Sequence, residues 1–349
     1  MGSDIDSHKL MYHPERVNDW KKTDDCFPIY VEIELTNCCN HRCTFCGLDW
    51  ARGKNIISSE IMYKLIDELA DGGVKSVCFA GAGEPTLHKD LKGFLRKCHS
   101  QRIDSSISTN AVLFTKEIAE ECMPYLSWIR FSVDAASSKT HALLHGTSES
   151  DFEKVKKNIQ DAVEIKKKNN YPVVLGVQFL LLPENEKEVI EFVKIFKEIG
   201  VDNVQIKPYS QNPNSINKMN IDYQKFDYLE KELAGLSSEK FSVIYRGNRM
   251  SQLSHEQDYC ECYGLPFFSI ITSEGNVMPC HLYFGKEYYS YGNINTKTFK
   301  EIWRSARRKE IVEEIKKMGV SHCKKGCRLD SINKYLYRIK NPLPHDNFI

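Results

Sequence analysis

The 349-residue chain sets 48 Lys and Arg against 47 Asp and Glu, a balance that leaves no overall field to attract nucleic acid or an anionic membrane. A core of this size needs no cross-links, so the 13 cysteines point to metal or catalysis in a reducing compartment rather than to disulfides. The longest apolar stretch, Val173–Leu182, is broken by Gly176 and Gln178 and is far shorter than a spanning helix, so no membrane partner is expected and a cytoplasmic location follows by default.

Residues 1–25 open with Met-Gly-Ser-Asp-Ile-Asp-Ser-His, which lacks the apolar core of a signal peptide and reads as an appended remnant and N-terminal extension. From Tyr30 to about Lys207, β-rich runs alternate with helical patterns, the signature of βα units around a parallel sheet. Six strands are expected, near Tyr30–Leu35, Lys75–Ala80, Ser105–Ser108, Trp128–Val133, Val173–Leu182 and Asn203–Lys207. The first helix aligns Ile61, Leu65, Ile66 and Leu69, with Ser59 as its expected N-cap and Gly72-Gly73 as its end. Residues 26–210 are therefore expected to form an α/β partial (β/α)6 barrel, with its active site at the carboxyl ends of the strands. The Asn-, Ser- and Pro-rich run Ser210–Asn220 marks a boundary, followed by a connecting region over 211–255 with a helical pattern at Tyr223–Leu236. Residues 256–349 are expected to form a separate small domain, with a hairpin around Ser273–Asn276 and short helices near Thr298–Met318 and Leu329–Ile339.

Chemistry concentrates first in Cys39-Asn-His-Arg-Cys43-Thr-Phe-Cys46, directly after the first strand. Three thiolates at these spacings can wrap three corners of a 4Fe-4S cubane and leave the fourth iron open. The alternatives are a zinc ion that recruits His41, or buried cysteines without metal. Cys38 would stretch the first spacing and is not expected to ligate.

With these residues the chain resembles the radical S-adenosylmethionine (SAM) superfamily, and the resemblance implies that SAM chelates the open iron and is cleaved to a 5′-deoxyadenosyl radical. It further implies that Phe45 faces the adenine. Ala82-Gly83-Glu84-Pro85 looks like the Gly-Gly-Glu-Pro motif, whose backbone meets the methionine amine. Asn110, Ser132 and Asp134 correspond to positions that hold ribose and carboxylate, and Gln178 is added as a polar strand residue facing the barrel. Glu84 and Asn110 are expected to serve the ligand rather than the fold. An external one-electron reductant such as flavodoxin or ferredoxin is implied as a partner.

Downstream, twelve residues separate Cys262 from Gly275 and four more precede Cys280, while three separate Cys323 from Cys327. Four thiolates from distant segments suit a fully ligated second 4Fe-4S cluster, with a structural zinc as the alternative. The pattern resembles SPASM and twitch auxiliary domains, and the cysteine count favours the one-cluster twitch form, as in 2-deoxy-scyllo-inosamine dehydrogenase-like enzymes. Cys260 is a possible substitute for Cys262. An auxiliary cluster can accept the second electron of an oxidation, which favours dehydrogenation of a polar small molecule such as a sugar, cyclitol or nucleotide sugar. No N-terminal domain for holding a leader peptide is visible, which places a peptide-modifying maturase second and a non-enzymatic electron carrier last. Lys207, Arg246 and Tyr209 are the candidates to handle the substrate proton. An epimerase would need a hydrogen-donor thiol, for which Cys78 and Cys260 are candidates.

Overall fold

The structure is a computed structural model that describes residues 8–254 and 256–348. Ten strands form one sheet: β1 (Tyr30–Ile33), β2 (Ser76–Phe79), β3 (Asp104–Thr109), β4 (Trp128–Ser132), β5 (Val174–Leu181), β6 (Asn203–Pro208), β7 (Ser242–Tyr245), β8 (Phe268–Ile271), β9 (Asn276–Met278) and β10 (Gly292–Asn293). Their order is β10-β9-β8-β1-β2-β3-β4-β5-β6-β7. All pairs from β8 through β1 to β7 are parallel, and only β9 and β10 run antiparallel.

Between the strands run α1 (Pro14–Thr23), α2 (Ser59–Asp71), α3 (Leu91–Ser100), α4 (Lys116–Cys122), α5 (Ser138–His145), α6 (Ser150–Asn169) and α7 (Val189–Ile199). They are followed by α8 (Tyr228–Ala234), α9 (Gly247–Gln252), α10 (Phe299–Arg304), α11 (Ala306–Met318) and α12 (Asp330–Lys340). Amphipathicity explains their seating. In α2, Met62, Leu65, Ile66 and Leu69 are buried on one face, and in α7 Val189, Phe192, Val193 and Phe196 are. The N-cap of α2 is Ser58, not Ser59, because the Ser58 hydroxyl accepts from Ile61 N while Ser59 already has helical backbone. None of the described helices is long and apolar enough to cross a membrane.

Three features depart from the sequence pattern. A seventh parallel strand, β7, lies within the region expected only to connect. The hairpin expected in a separate domain extends the main sheet instead, with Tyr30 opposite Phe268 and Ile33 opposite Ile271. The β8 run Phe268-Ser-Ile-Ile is buried throughout, which lets it pair on the free edge of β1 as an interior strand does. The N-terminal extension is also part of the fold: Trp20 of α1 is buried against the rings of Tyr263 and Phe267, and Arg16 donates to Phe27 O and Gly73 O.

Candidate functional site

Strand alternation decides which side chains meet inside the curved sheet. In β4, Ile129 and Phe131 are buried on the helix side, which leaves Arg130 and Ser132 on the other face. Register carries that face across neighbours, with Ser132 opposite Gln178 and Leu180 opposite Lys207. At the carboxyl ends of these strands one cavity of about 500 Å³ opens, and all seven expected cluster cysteines line it: Cys39, Cys43, Cys46, Cys262, Cys280, Cys323 and Cys327. Phe45, Ala82, Gly83, Glu84, Asn110, Ser132 and Gln178 share the same wall, as do Lys207, Tyr209 and Arg246.

The loop after β1 owes its shape to close backbone approach. A Cβ on Gly83 would come within 2.1 Å of Thr36 O and 2.5 Å of Cys38 O, so only glycine lets the loop after β2 press against the cysteine loop. Glu84 N donates to Cys38 O, and Glu34 Oε2 accepts from Ala82 N. Glu84 is also tied into the fold. Its carboxylate is buried and accepts from Thr86 N (3.1 Å), Thr86 Oγ1 (2.7 Å), Thr109 Oγ1 (2.6 Å) and Asn110 N (2.8 Å), so it ties the β2 and β3 loops together. What remains for a ligand at this motif is backbone. Asn110 shares the dual duty, since its Nδ2 donates to Asn40 Oδ1 in the cysteine loop at 2.7 Å.

Asp134 corrects an expectation. It does not line the cavity; it is fully buried at φ +59°, with Oδ1 accepting from Leu180 N and Oδ2 3.4 Å from His145 Nε2. The positive φ turns its side chain away from the face that Ser132 occupies.

His145 was not picked out by the sequence. From the end of α5 its Nε2 donates to Val133 O at 3.0 Å, and its Nδ1 lies 3.4 Å from Cys43 Sγ. Burial alone would lower its pKa, but Cys43 and Asp134 push it up to about 10. His41 and His141 pack beside it, the latter ring stacked at 4.3 Å. Arg52, also missed, donates to Cys43 O beside the three thiols.

The donor spacing tests which metal fits. A tetrahedral zinc at about 2.3 Å from each sulfur needs ligand atoms about 4 Å apart. Among the described residues only His41, Cys43 and His145 gather so closely, within 4.8 Å of one another. Among the described residues neither cysteine set gathers three sulfurs that closely. Burial pushes the Cys39 thiol up to about 11, with Glu84, Cys43 and Cys46 adding to it. Cys280 rises to about 12 through burial, with Cys327 and Cys323 adding. Thiols whose ionisation burial opposes in this way suit a site completed by cationic metal. Cys260 is exposed and lies off the cavity, whereas Cys262 is buried within it and accepts from Asn333 Nδ2 at 3.5 Å.

A sequence profile of the Radical SAM superfamily matches residues 33–208, the span from β1 to the end of β6. The chain belongs to the radical SAM superfamily. A second profile, the SPASM iron-sulfur cluster-binding domain, matches residues 260–328 and so includes the four downstream cysteines. As a radical SAM protein with a SPASM domain, it takes a SAM-binding 4Fe-4S cluster, SAM and auxiliary iron-sulfur ligation.

Among curated proteins it is similar to the tungsten-containing aldehyde ferredoxin oxidoreductase cofactor-modifying protein of Pyrococcus furiosus, 24% identical over 80% of this chain and 81% of the other. It is also similar to GTP 3′,8-cyclase of Aliarcobacter butzleri, 27% identical over 83% of this chain and 88% of the other. Streptococcus suis SuiB bound to S-adenosylmethionine shares the fold, with TM-score 0.67 and 20% identity over 85% of this chain and 70% of SuiB.

Proposed function

We propose that this radical SAM protein is an oxidoreductase that removes two hydrogens from a polar small molecule of the sugar, cyclitol or nucleotide sugar class. The observation that supports it is the single cavity whose wall holds both cysteine sets. Cys39, Cys43 and Cys46 would hold the cluster that binds SAM, and Cys262, Cys280, Cys323 and Cys327 one twitch-type auxiliary cluster. When bound, these groups supply a 5′-deoxyadenosyl radical and an acceptor for the electron left after hydrogen abstraction. The remaining tasks fall to the chain: Phe45, Asn110, Ser132 and the Ala82-Gly83 backbone orient SAM, and Gln178, whose buried Oε1 has no partner among the described residues, orients the substrate.

Overall the substrate loses one hydrogen atom, one electron and one proton. Epimerisation would need a spare thiol at the cavity. All the cysteines on its wall are already assigned to clusters, Cys260 lies outside, and Cys78 is buried in β2 off the wall. The relatives named above act on a cofactor and on GTP, while SuiB is also known bound to the precursor peptide SuiA, so a peptide substrate is the alternative outcome.

The test is turnover in heavy water with candidate sugars and cyclitols, with 5′-deoxyadenosine counted alongside. One 5′-deoxyadenosine per product two hydrogens lighter is expected. A mass-neutral product carrying one deuterium would replace dehydrogenation by epimerisation.

A further inference from the structure

The inner face of the barrel holds more positive charge than its own groups account for. Lys207 of β6 lines the cavity, and its ammonium has no hydrogen-bond partner and no carboxylate within 4 Å among the described residues. Arg130 of β4 donates both Nε (3.2 Å) and Nη2 (3.0 Å) to one hydroxyl, Ser108 Oγ, and forms no ion pair among the described residues. Ser108 lines the cavity, so Arg130 stands directly behind that wall.

Other charges nearby are already engaged. Arg328 is matched by Glu32 at 2.6 Å, with His281 on the other carboxylate oxygen at 2.7 Å. Lys324, within the Cys323–Cys327 loop, donates to Ser210 O at 3.3 Å, and Arg249 donates to Cys327 O at 2.6 Å. Asp134 Oδ1 accepts from Leu180 N and Oδ2 lies 3.4 Å from His145 Nε2, while the carboxylate of Glu84 is occupied by its four donors. A cation enclosed without a carboxylate is costly, so Lys207 on the wall, with Arg130 held by Ser108 behind it, suits a ligand that brings the missing charge.

We propose that Lys207 and Arg130 form an anion subsite that receives a carboxylate or phosphate carried by the substrate. The proposal deepens the reading above, in which the cavity holds substrate beside SAM. Lys207 supplies a compact charge on the wall, and Arg130, whose Nε and Nη2 are held by Ser108 Oγ, adds its charge from behind, a combination suited to an oxyanion. Burial pushes the Lys207 pKa well below the lysine range, with Arg130, Lys324 and Arg246 adding to it and Asp134 only partly opposing them, and a bound oxyanion would restore its charge.

Such an anionic group could also be the carboxylate of SAM, and the experiment separates the two. Reconstituted protein saturated with SAM is titrated with inorganic phosphate and pyrophosphate, read by 31P relaxation near the reduced clusters. Lys207→Met and Arg130→Met should each weaken phosphate binding about tenfold, the scale of one charge-assisted contact, while Lys207→Arg retains it. SAM affinity, measured by equilibrium dialysis, should stay within about twofold, since the anion is not SAM's own.

Equal phosphate binding by wild type and Lys207→Met overturns the proposal. So does a tenfold loss of SAM affinity in that variant, which gives the pair to the SAM carboxylate. Because the titration needs no turnover, phosphate binding without 5′-deoxyadenosine formation would sink the oxidoreductase reading and spare the subsite. Product formation without phosphate binding would do the reverse.

Discussion

The two cysteine sets face one cavity but are built in opposite ways. Cys39, Cys43 and Cys46 come from one short loop that leaves β1, held by Gly83 and Glu84 from the next strand. Cys262, Cys280, Cys323 and Cys327 come from the approach to β8, the exit of β9 and the turn before α12. A local loop needs little chain closure to form, whereas the second set joins segments whose closure entropy must be met by the rest of the fold. The first site is thus a cheap appendage of the barrel, and the second doubles as a clasp on the sheet edge β8-β9-β10. Metal should matter to chemistry at the first site and to both chemistry and stability at the second.

The largest effect breaks that comparison at its base. Replacing Cys39, Cys43 and Cys46 together by Ala should abolish SAM cleavage and lower iron from about eight to about four per chain, as expected of two independent cubanes. The melting temperature of the anaerobic protein should hardly move. Cys262→Ala should also leave about four irons, but it should lower the melting temperature by roughly 5–10 °C, because the clasp opens. Equal melting losses for the two variants would remove the distinction, and stoichiometric zinc in the downstream site would remove the second cluster.

How much of this was legible followed the same division. The cysteine loop, the βα alternation and the amphipathic face of α2 are local patterns, and each stands close to where its spacing put it, with Met62 buried in α2 in place of the half-buried Ile61. What escaped depends on distant contacts. His145 reaches Cys43 across 102 residues, and nothing in Ala-Leu-Leu-His announces it. The pairing of β8 with β1 was hidden because a buried run such as Phe268-Ser-Ile-Ile names no partner strand. Asp134 was misassigned because alternation cannot foresee the positive φ that turns it inward. Glu84 lines the cavity, and the four donors that also tie it to the β2 and β3 loops are invisible in sequence.

A smaller effect sharpens how the two regions are joined. Glu34, the residue after β1, accepts from Ala82 N on the SAM side and from Ser273 N and Oγ in the β8–β9 turn, 239 residues away. Burial pushes its pKa up to about 7 against these donors. The folded protein therefore holds this proton more tightly than the unfolded chain. Stability should be greatest below the ordinary carboxylate range and fall as pH rises to about 7, by up to about 3 kcal/mol if this group acts alone. Glu34→Gln should flatten that slope in urea titrations between pH 4.5 and 7. An unchanged slope would mean that Glu34 does not couple the two regions.

The smallest effect addresses the second site without dismantling it. Asn333 of α12 is buried, donates Nδ2 to Cys262 Sγ at 3.5 Å and accepts from Gly264 N at 2.7 Å. A donor on a ligating sulfur stabilises the more electron-rich state of a cluster, so it raises the reduction potential. Asn333→Leu removes that donor, and a net hydrogen bond of about 1 kcal/mol corresponds to roughly 40 mV in a one-electron couple. The auxiliary potential should fall by about that amount. Potentiometric EPR in the Cys39→Ala/Cys43→Ala/Cys46→Ala background isolates the signal. Iron content should not change, and Cys260→Ala in the same background should shift nothing, because Cys260 is exposed and off the cavity. If Cys260→Ala moved the potential and Asn333→Leu did not, the ligand would be Cys260, and the clasp would close at an exposed thiol two residues before the buried Cys262.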